Sequence, residues 1–187
     1  MSSFKKINID TKRLTIKPLS PADAVELFNI FSDAAVMKYW NTPPWTSIKD
    51  STDFIEKSME TMQTDESLTL GIYIKDLPRL IGKCMLFNYA RTSKRAEIGF
   101  GIGKEFWGMG YMQEAGNALI HYGFKELGLR RIEAEINPAN LSSSKVLTRM
   151  GFITEGLLRE RWEINGVVSD SAILGLLVGD WAAGNHA

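Results

Sequence analysis

The stretch from Leu68 to Ile102 constrains the fold more than any other part of the chain. Three runs in it have strand character: Leu68 to Ile74, Leu80 to Tyr89 and Ala96 to Ile102. Only short polar turns separate them, the first at Asp76-Leu77-Pro78. Strands joined this closely pair antiparallel, because a parallel neighbour needs a crossover of about a dozen residues. A doubly wound parallel sheet is therefore disfavoured. In the last run Ala96, Ile98, Phe100 and Ile102 share one face, while Glu97, Gly99 and Gly101 share the other.

The flanking segments complete the pattern. Arg13 to Lys17 alternates as an opening strand, with Leu14 and Ile16 on one face. Ser20 and Pro21 start a helix, Asp23 takes the acidic position of a capping box, and Ala24, Leu27, Phe28 and Phe31 follow at helical spacing. A second helix begins near Ser47, with Asp50 three residues on and Phe54, Ile55, Ser58, Met59 and Met62 along one side. After Gly110 a helix carries Met112, Ala115, Ala118, Leu119 and Tyr122. Arg131 to Ile136 is a fifth strand. Asn140 then caps a short helix with Val146, Leu147 and Met150, which Gly151 stops. The chain closes in a hairpin, Phe152 to Ile164 and Val167 to Leu177, turned at Asn165-Gly166. The order β-α-α-β-β-β-α-β-α-β-β predicts an α/β (α+β) fold: a mixed, mostly antiparallel sheet of about seven strands with helices on both faces.

The 187 residues suit a single domain over residues 1–187. Acidic and basic residues balance at 22 each, so no nucleic-acid partner is expected. No apolar run reaches the roughly 18 residues that span a bilayer, and the first residues lack the apolar core of a signal peptide. One cysteine, Cys84, leaves no internal disulfide and fits a reducing compartment. A cytoplasmic protein without a membrane partner is the expectation. No His, Cys and carboxylate cluster has metal-ligand spacing, so no metal is expected either. Cys84 reads as a small buried residue with no base beside it in sequence. His121 and His186 stand apart and read as packed or surface residues.

Trp107-Gly108-Met109-Gly110-Tyr111-Met112 lies between the fourth strand and a helix. Glycine permits a sharp turn and close approach of a ligand to the backbone. The first N–H groups of a helix lack internal partners and, with the helix dipole, form an anion site that would suit a diphosphate. On these two glycines alone, a plain strand-to-helix turn is the stronger reading, since Gly101-Ile102-Gly103 has the same form. A Walker loop fails because no Lys followed by Ser or Thr comes after Gly110. A dinucleotide fingerprint fails because its glycines should follow the first strand of a βαβ unit.

Trp107-Gly-Met-Gly-Tyr-Met-Gln-Glu-Ala115 closely resembles the W-G-x-G-Y-x-x-E-A signature of the RimJ/RimL-like branch of the GNAT acetyltransferase superfamily. Thr11-Lys-Arg-Leu14 resembles the branch's opening T-x-R-L strand, and Ala96-Glu-Ile-Gly99 its A-x-I-G strand. Arg131-Ile-Glu133, Asn137-Pro-Ala-Asn140, Ser143, Val146-Leu147 and Gly151-Phe152 are similar to R-I-E…N-x-x-N-x-x-S-x-x-V-L-x-x-x-G-F. Glu155-Gly156 with Arg159 resembles the E-G-x-x-R of the closing hairpin. One departure stands at Glu105, where the wider superfamily often has Gln or Arg.

The resemblance implies a GNAT-like sheet whose fourth and fifth strands splay apart around the pantetheine arm of acetyl-CoA. Phe100, Gly101 and Ile102 would pair with that arm. Trp107, Gly108, Met109, Gly110, Tyr111 and Met112 would hold the diphosphate. It further implies direct transfer of acetyl from the thioester sulfur to an amine. The amine must lose a proton, the oxyanion needs donors such as strand N–H groups near Gly99 to Gly101, and the thiolate needs a hydrogen bond. Glu97 is the candidate base, against a plain solvated glutamate. Ser143 is the candidate thiolate partner, against a serine that merely suits a helix start. Asn140 would cap its helix and touch the pantetheine.

The loop from Tyr39 to Trp45 reads as a lid over the acceptor, because aromatics beside Pro43-Pro44 are costly to leave wet. Arg159, Arg161 and Trp162 of the hairpin would form another wall. By resemblance the acceptor is an N-terminal α-amino group of a (ribosomal) protein or peptide. A polyamine, amino acid or antibiotic is the alternative, as is a non-catalytic acyl-CoA-binding module. Members of the branch often dimerise, so a homodimer is expected.

Overall fold

A computed structural model describes Phe4, residues 7–77 and residues 79–184; Pro78 of the expected turn and His186 lie outside these. Eight strands form one sheet: β1 (Ile9–Asp10), β2 (Leu14–Pro18), β3 (Leu68–Ile74), β4 (Leu80–Ala90), β5 (Arg95–Ile102), β6 (Arg131–Ile136), β7 (Ile153–Ile164) and β8 (Val167–Leu177). Their spatial order is β1-β2-β3-β4-β5-β6-β8-β7. Every neighbouring pair is antiparallel except β5 and β6. The parallel step is made by a crossover through helix α4 (Tyr111–Lys125).

Local chemistry explains most element ends. Ser20 and Asp23 close a capping box ahead of α1 (Ala24–Phe31), and Ser47 and Asp50 close another ahead of α3 (Ile48–Gln63). Asn140 caps α5 (Leu141–Arg149) by accepting from the Ser143 amide at 3.1 Å. Gly151 leaves that helix at φ +94°, a backbone setting that disfavours a side chain. The hairpin turn at Asn165 and Gly166 has both residues at positive φ, and Ile164 faces Val167 across it.

Three elements exceed the expected order. Strand β1 has two residues, too few to show an alternation. Helix α2 (Ala34–Met37) is a single turn just ahead of the aromatic loop, held by Asp33 accepting from the Ala35 amide at 2.7 Å. Helix α6 (Val178–Ala183) forms because Trp181 folds back onto Phe124 and His121, with ring centroids 5.2 and 5.7 Å away. His121 is an exposed residue that meets the Trp181 ring edge-on. The core stripes are also narrower than expected. Ile30 is buried where Phe28 was anticipated, and Met59 stands 41% exposed while Ser51 is buried. Ser51 is tolerated there because its hydroxyl donates to the Ala24 carbonyl at 2.8 Å.

Helices α1 and α3 cover one face of the sheet, with Leu27, Phe31, Ile55, Tyr73 and Leu80 packed between them. Helices α4 and α5 cover the other, with Leu119 and Leu147 over Leu70, Ile72, Leu86 and Ile98. Cys84 is fully buried in this second core, and burial pushes its thiol up to about 12. It is inert packing, not a nucleophile.

The register around β5 places the site. Strands β5 and β6 pair only at Arg95 with Arg131, Ala96 with Ile132 and Glu97 with Glu133. Beyond Glu97, β5 continues on β4 to Ile102, while β6 continues on β8 to Ile136. The sheet therefore opens between Ile98–Ile102 and Ala134–Ile136. Ion pairs hold the closed end: Glu133 accepts from Arg95 at 2.8 Å and from Arg131 at 2.7 Å, and Arg131 also donates to Glu155 at 2.8 Å.

Candidate active site

The glycine turn leaves β5 through a short 3-10 turn, Lys104–Phe106. Gly108 has φ +76° and Gly110, the N-cap of α4, has φ +77°. Only glycine takes this backbone without strain. A Cβ at Gly108 would meet nothing within 4 Å, so the outer face of the turn is open. The amides from Gly108 to Gln113 donate to no acceptor among the described residues. Several N–H groups thus converge on open space at the positive end of a 15-residue helix. Trp107 stays 47% exposed, and its indole N–H donates to the Ile102 carbonyl at 3.0 Å.

A buttress from β2 fixes this turn. Glu114, in the first turn of α4, accepts from the Thr11 hydroxyl at 2.7 Å, the Arg13 amide at 2.8 Å and the Arg13 guanidinium at 2.7 Å. Burial raises the Glu114 carboxyl, but these donors outweigh it and hold it below the ordinary range. Arg13 also donates to the Met109 carbonyl at 2.9 Å and stacks 4.3 Å over the Tyr111 ring. Arg13 and Thr11 were not among the sequence-based site residues, although the T-x-R-L and W-G-x-G-Y-x-x-E-A segments contain all three partners. Glu105 is balanced by Arg79 at 3.1 Å.

The sheet opening leads to a cleft of about 770 Å³. Glu97, Gly99, Phe100, Asn140 and Ser143 all line it, so residues from β5 and the start of α5 meet there. Gly101, Ile102 and the turn Trp107 to Met112 do not line it; they sit toward the far end of the opening. Burial, then the nearby Glu135 and Glu133, push the Glu97 carboxyl above its ordinary value. The Asn88 amide, donating at 3.0 Å, and Arg161 pull it back only in part. A carboxyl poised this way takes a proton more readily than a solvated one. The Ser143 hydroxyl has no partner among the described residues.

Gly101 is buried, and a Cβ there would sit 2.8 Å from Trp40 and 2.9 Å from Phe31. Its missing side chain makes room for an aromatic ring. The strand amides are freed by divergence from β6. A bulge lies on β4, between Phe87 and Ala90, where Asn88 takes φ +50°.

The aromatic loop is also no free lid. Trp40 and Trp45 pack on Phe31 with centroids at 5.4 and 5.3 Å, and the Trp45 amide donates to the Phe31 carbonyl at 3.0 Å. Tyr39 and Asn41 to Pro44 form a fixed cleft wall. Opposite stand Arg161 and Trp162, whose indole N–H donates to Glu135 at 2.6 Å. Arg159 does not line the cleft.

Beside the cleft lies a second chamber of about 480 Å³, sharing Met37, Met85 and the Trp40 to Pro44 segment with it. Lys83 of β4 points into an aromatic box at this chamber. Its Nζ stands 3.6 Å from the centroid of Phe54, 4.5 Å from Phe31, 5.1 Å from Trp40 and 5.7 Å from Trp45. Lys83 is 3% exposed and pairs with no carboxylate among the described residues. Burial pushes its ammonium down to about 7, while the ring faces favour the charged form. Sequence reasoning missed Lys83. Its signal was a lone charge inside the apolar run Leu80 to Leu86.

Among the described residues no group of His, Cys and carboxylates could hold a metal ion, and no helix is long and apolar enough to cross a membrane. The family model for the acetyltransferase (GNAT) domain matches residues 13–153. An uncharacterised N-acetyltransferase, p20, of Bacillus licheniformis is 35% identical over 92% of this chain and 97% of its own. The [ribosomal protein uS5]-alanine N-acetyltransferase of Escherichia coli (strain K12) is 26% identical over 98% of this chain and 97% of its own. Among solved structures, the microcin C7 self-immunity acetyltransferase MccE, in complex with acetyl-CoA and AMP, superposes with a TM-score of 0.79 at 26% identity, over 90% of this chain and 94% of that one.

Proposed function

This chain belongs to the GNAT family of acetyl-CoA-dependent N-acetyltransferases, and on that premise we propose that its acceptor is the N-terminal α-amino group of a protein or peptide. One observation carries the site assignment: the sheet opening runs from the free amides of the glycine turn to a cleft that holds Glu97 and Ser143. The site fits the cofactor. The amides of Gly108 to Met112, framed by Trp107, suit a diphosphate, and the unpaired edge at Phe100, Gly101 and Ile102 suits an amide-bearing pantetheine. Asn140 stands at the cleft end of that path. When bound, acetyl-CoA supplies the thioester acetyl group.

The chain's own residues do the rest. Glu97 takes the proton of the incoming amine, directly or through one water. Strand amides between Gly99 and Gly101 face the place where negative charge develops on the carbonyl oxygen. The Ser143 hydroxyl hydrogen-bonds the departing sulfur. The alanine named for the Escherichia coli relative's ribosomal-protein substrate supports a protein N-terminus over a free small amine. The long outer edge of β7, with Ile153, Leu157 and Leu158 exposed, supports a homodimer.

The test has two parts. Acetyl-CoA should raise the melting temperature more than NAD; no stabilisation would remove the cofactor assignment. Thiol release should then be faster with peptides beginning in Ser or Ala than with spermidine or free amino acids; the reverse order would overturn the acceptor assignment. Ser143→Ala should lower turnover while leaving acetyl-CoA binding intact, and full activity in that variant would end its proposed role.

A further inference from the structure

Lys83 is a charge that the acetyl transfer described above does not use. Its ammonium is caged by four ring faces, and its remaining surroundings open on the second chamber. Asp50 is the one carboxylate in that chamber's wall among the described residues, and it is engaged by the amides of Thr46 and Ser47 at 2.8 and 2.9 Å. Burial without a counter-ion weakens the hold of Lys83 on its proton, the rings offset part of that loss, and an anion in the chamber would offset the rest. The chamber adjoins the acceptor cleft along Trp40 to Pro44 and Met85, so the acceptor is the molecule positioned to do so.

We propose that Lys83 determines acceptor specificity by receiving a carboxylate carried by the substrate, so that the preferred acceptor is a peptide with Asp or Glu within its first three residues. This rests on the acceptor reading given above. Register supports the spacing. Lys83 faces Gly101 and Phe87 faces Glu97 across the same strand pair, so the base and the ammonium stand four residues apart along one face. That separation is roughly 13 Å at about 3.3 Å per residue. An extended peptide with its amine at Glu97 spans it in two or three residues plus an acidic side chain. Carboxylates outnumber cations at the amine end, where Glu97, Glu135 and Asp170 line the cleft beside Lys38 and Arg161, and the caged ammonium stands at the other end. A site that pairs a buried charge discriminates strongly against a neutral analogue, because the analogue leaves that charge unmet.

The experiment compares amidated tetrapeptides that begin with Ser and differ only in Glu or Gln at the second or third position. The wild type should favour a Glu peptide by about tenfold or more in kcat/KM, and Lys83→Met should cut that preference to about threefold or less. Methionine matches the length of the side chain and suits the aromatic box. Melting temperature and acetyl-CoA stabilisation check that the variant folds. Equal use of Glu and Gln peptides by the wild type overturns the proposal, as does a preference that survives in Lys83→Met. Binding of the N-acetylated Glu and Gln peptides, measured by calorimetry in the presence of CoA, gives a readout that needs no catalysis. If the Glu peptide binds more tightly but no peptide is acetylated, the transfer assignment fails and Lys83 stands. If peptides are acetylated without regard to Glu, Lys83 fails and the transfer assignment stands.

Discussion

Glu97 and Lys83 stand on the same face of neighbouring strands, yet their environments shift them for different uses. Glu97 keeps partial contact with the cleft, and its raised carboxyl makes it a better proton acceptor. Only its ionised form accepts a proton, so kcat/KM should rise with pH through the Glu97 value, which lies above 4.5. Glu97→Gln should abolish that acid limb and lower kcat/KM about 100-fold; an unchanged profile would assign the proton to another group. Lys83 couples to folding instead. In the unfolded chain it holds its proton up to about 10.5, and in the folded protein only to about 7. Between these values the unfolded state binds more protons, so this residue makes stability rise with pH, by at most about 1.4 kcal/mol per unit. The surrounding rings reduce that slope by favouring the charged form. Lys83→Met should flatten the curve between pH 7 and 10.5 relative to wild type, as measured by denaturant unfolding at several pH values.

At the scale of elements, the buttress between β2 and α4 shows what a motif encodes. Glu114 lies 103 and 101 positions from Thr11 and Arg13 in the chain, and together the three hold the glycine turn in place. Glu114→Ala should release Arg13 and let the turn relax, weakening acetyl-CoA binding about tenfold by calorimetry. A variant that binds normally would make the contact purely structural. Elements governed by neighbours in sequence were legible beforehand. The two capping boxes, the Asn165-Gly166 turn, the Gly151 stop and the alternating strands all depend on residues a few positions apart. Strand β1, helix α2 and helix α6 were not legible, because they are too short for a periodic signal and exist through partners far along the chain. The same reason hid the seating of Trp40 over Gly101. A glycine that admits a remote ring looks identical, in sequence, to one that faces a ligand.

For the whole molecule, residue types pointed to the parts of the site, while topology supplied their arrangement. Glu97, Asn140 and Ser143 could be named from a resemblance, but their convergence depends on β5 and β6 parting after three paired residues. Nothing in the composition of either strand announces that parting. The aromatic box around Lys83 is likewise built from α1, the loop after α2, α3 and β4 at once. The outer edge of β7 belongs to the same scale. Leu157 is 54% exposed and Ile153 59% exposed on a strand with no outer neighbour among the described residues. The protein should sediment as a dimer, and Leu157→Lys should shift it to monomer at micromolar concentration. A wild type that sediments as a monomer would leave that edge unpaired in solution.

The parting of β5 and β6 also bears on the timing of events. A sheet with rungs missing from its middle can flex about the three that remain, and the Arg95, Arg131 and Glu133 ion pairs sit at that hinge. A cofactor that fills the gap restores the rungs and stiffens both halves together. The cleft walls stand on those two halves, Tyr39 and Trp40 beside β4 and β5, Arg161 and Trp162 beside β6 and β8. Donor should therefore bind before acceptor, which product-inhibition kinetics would show as CoA competing with acetyl-CoA but not with the amine.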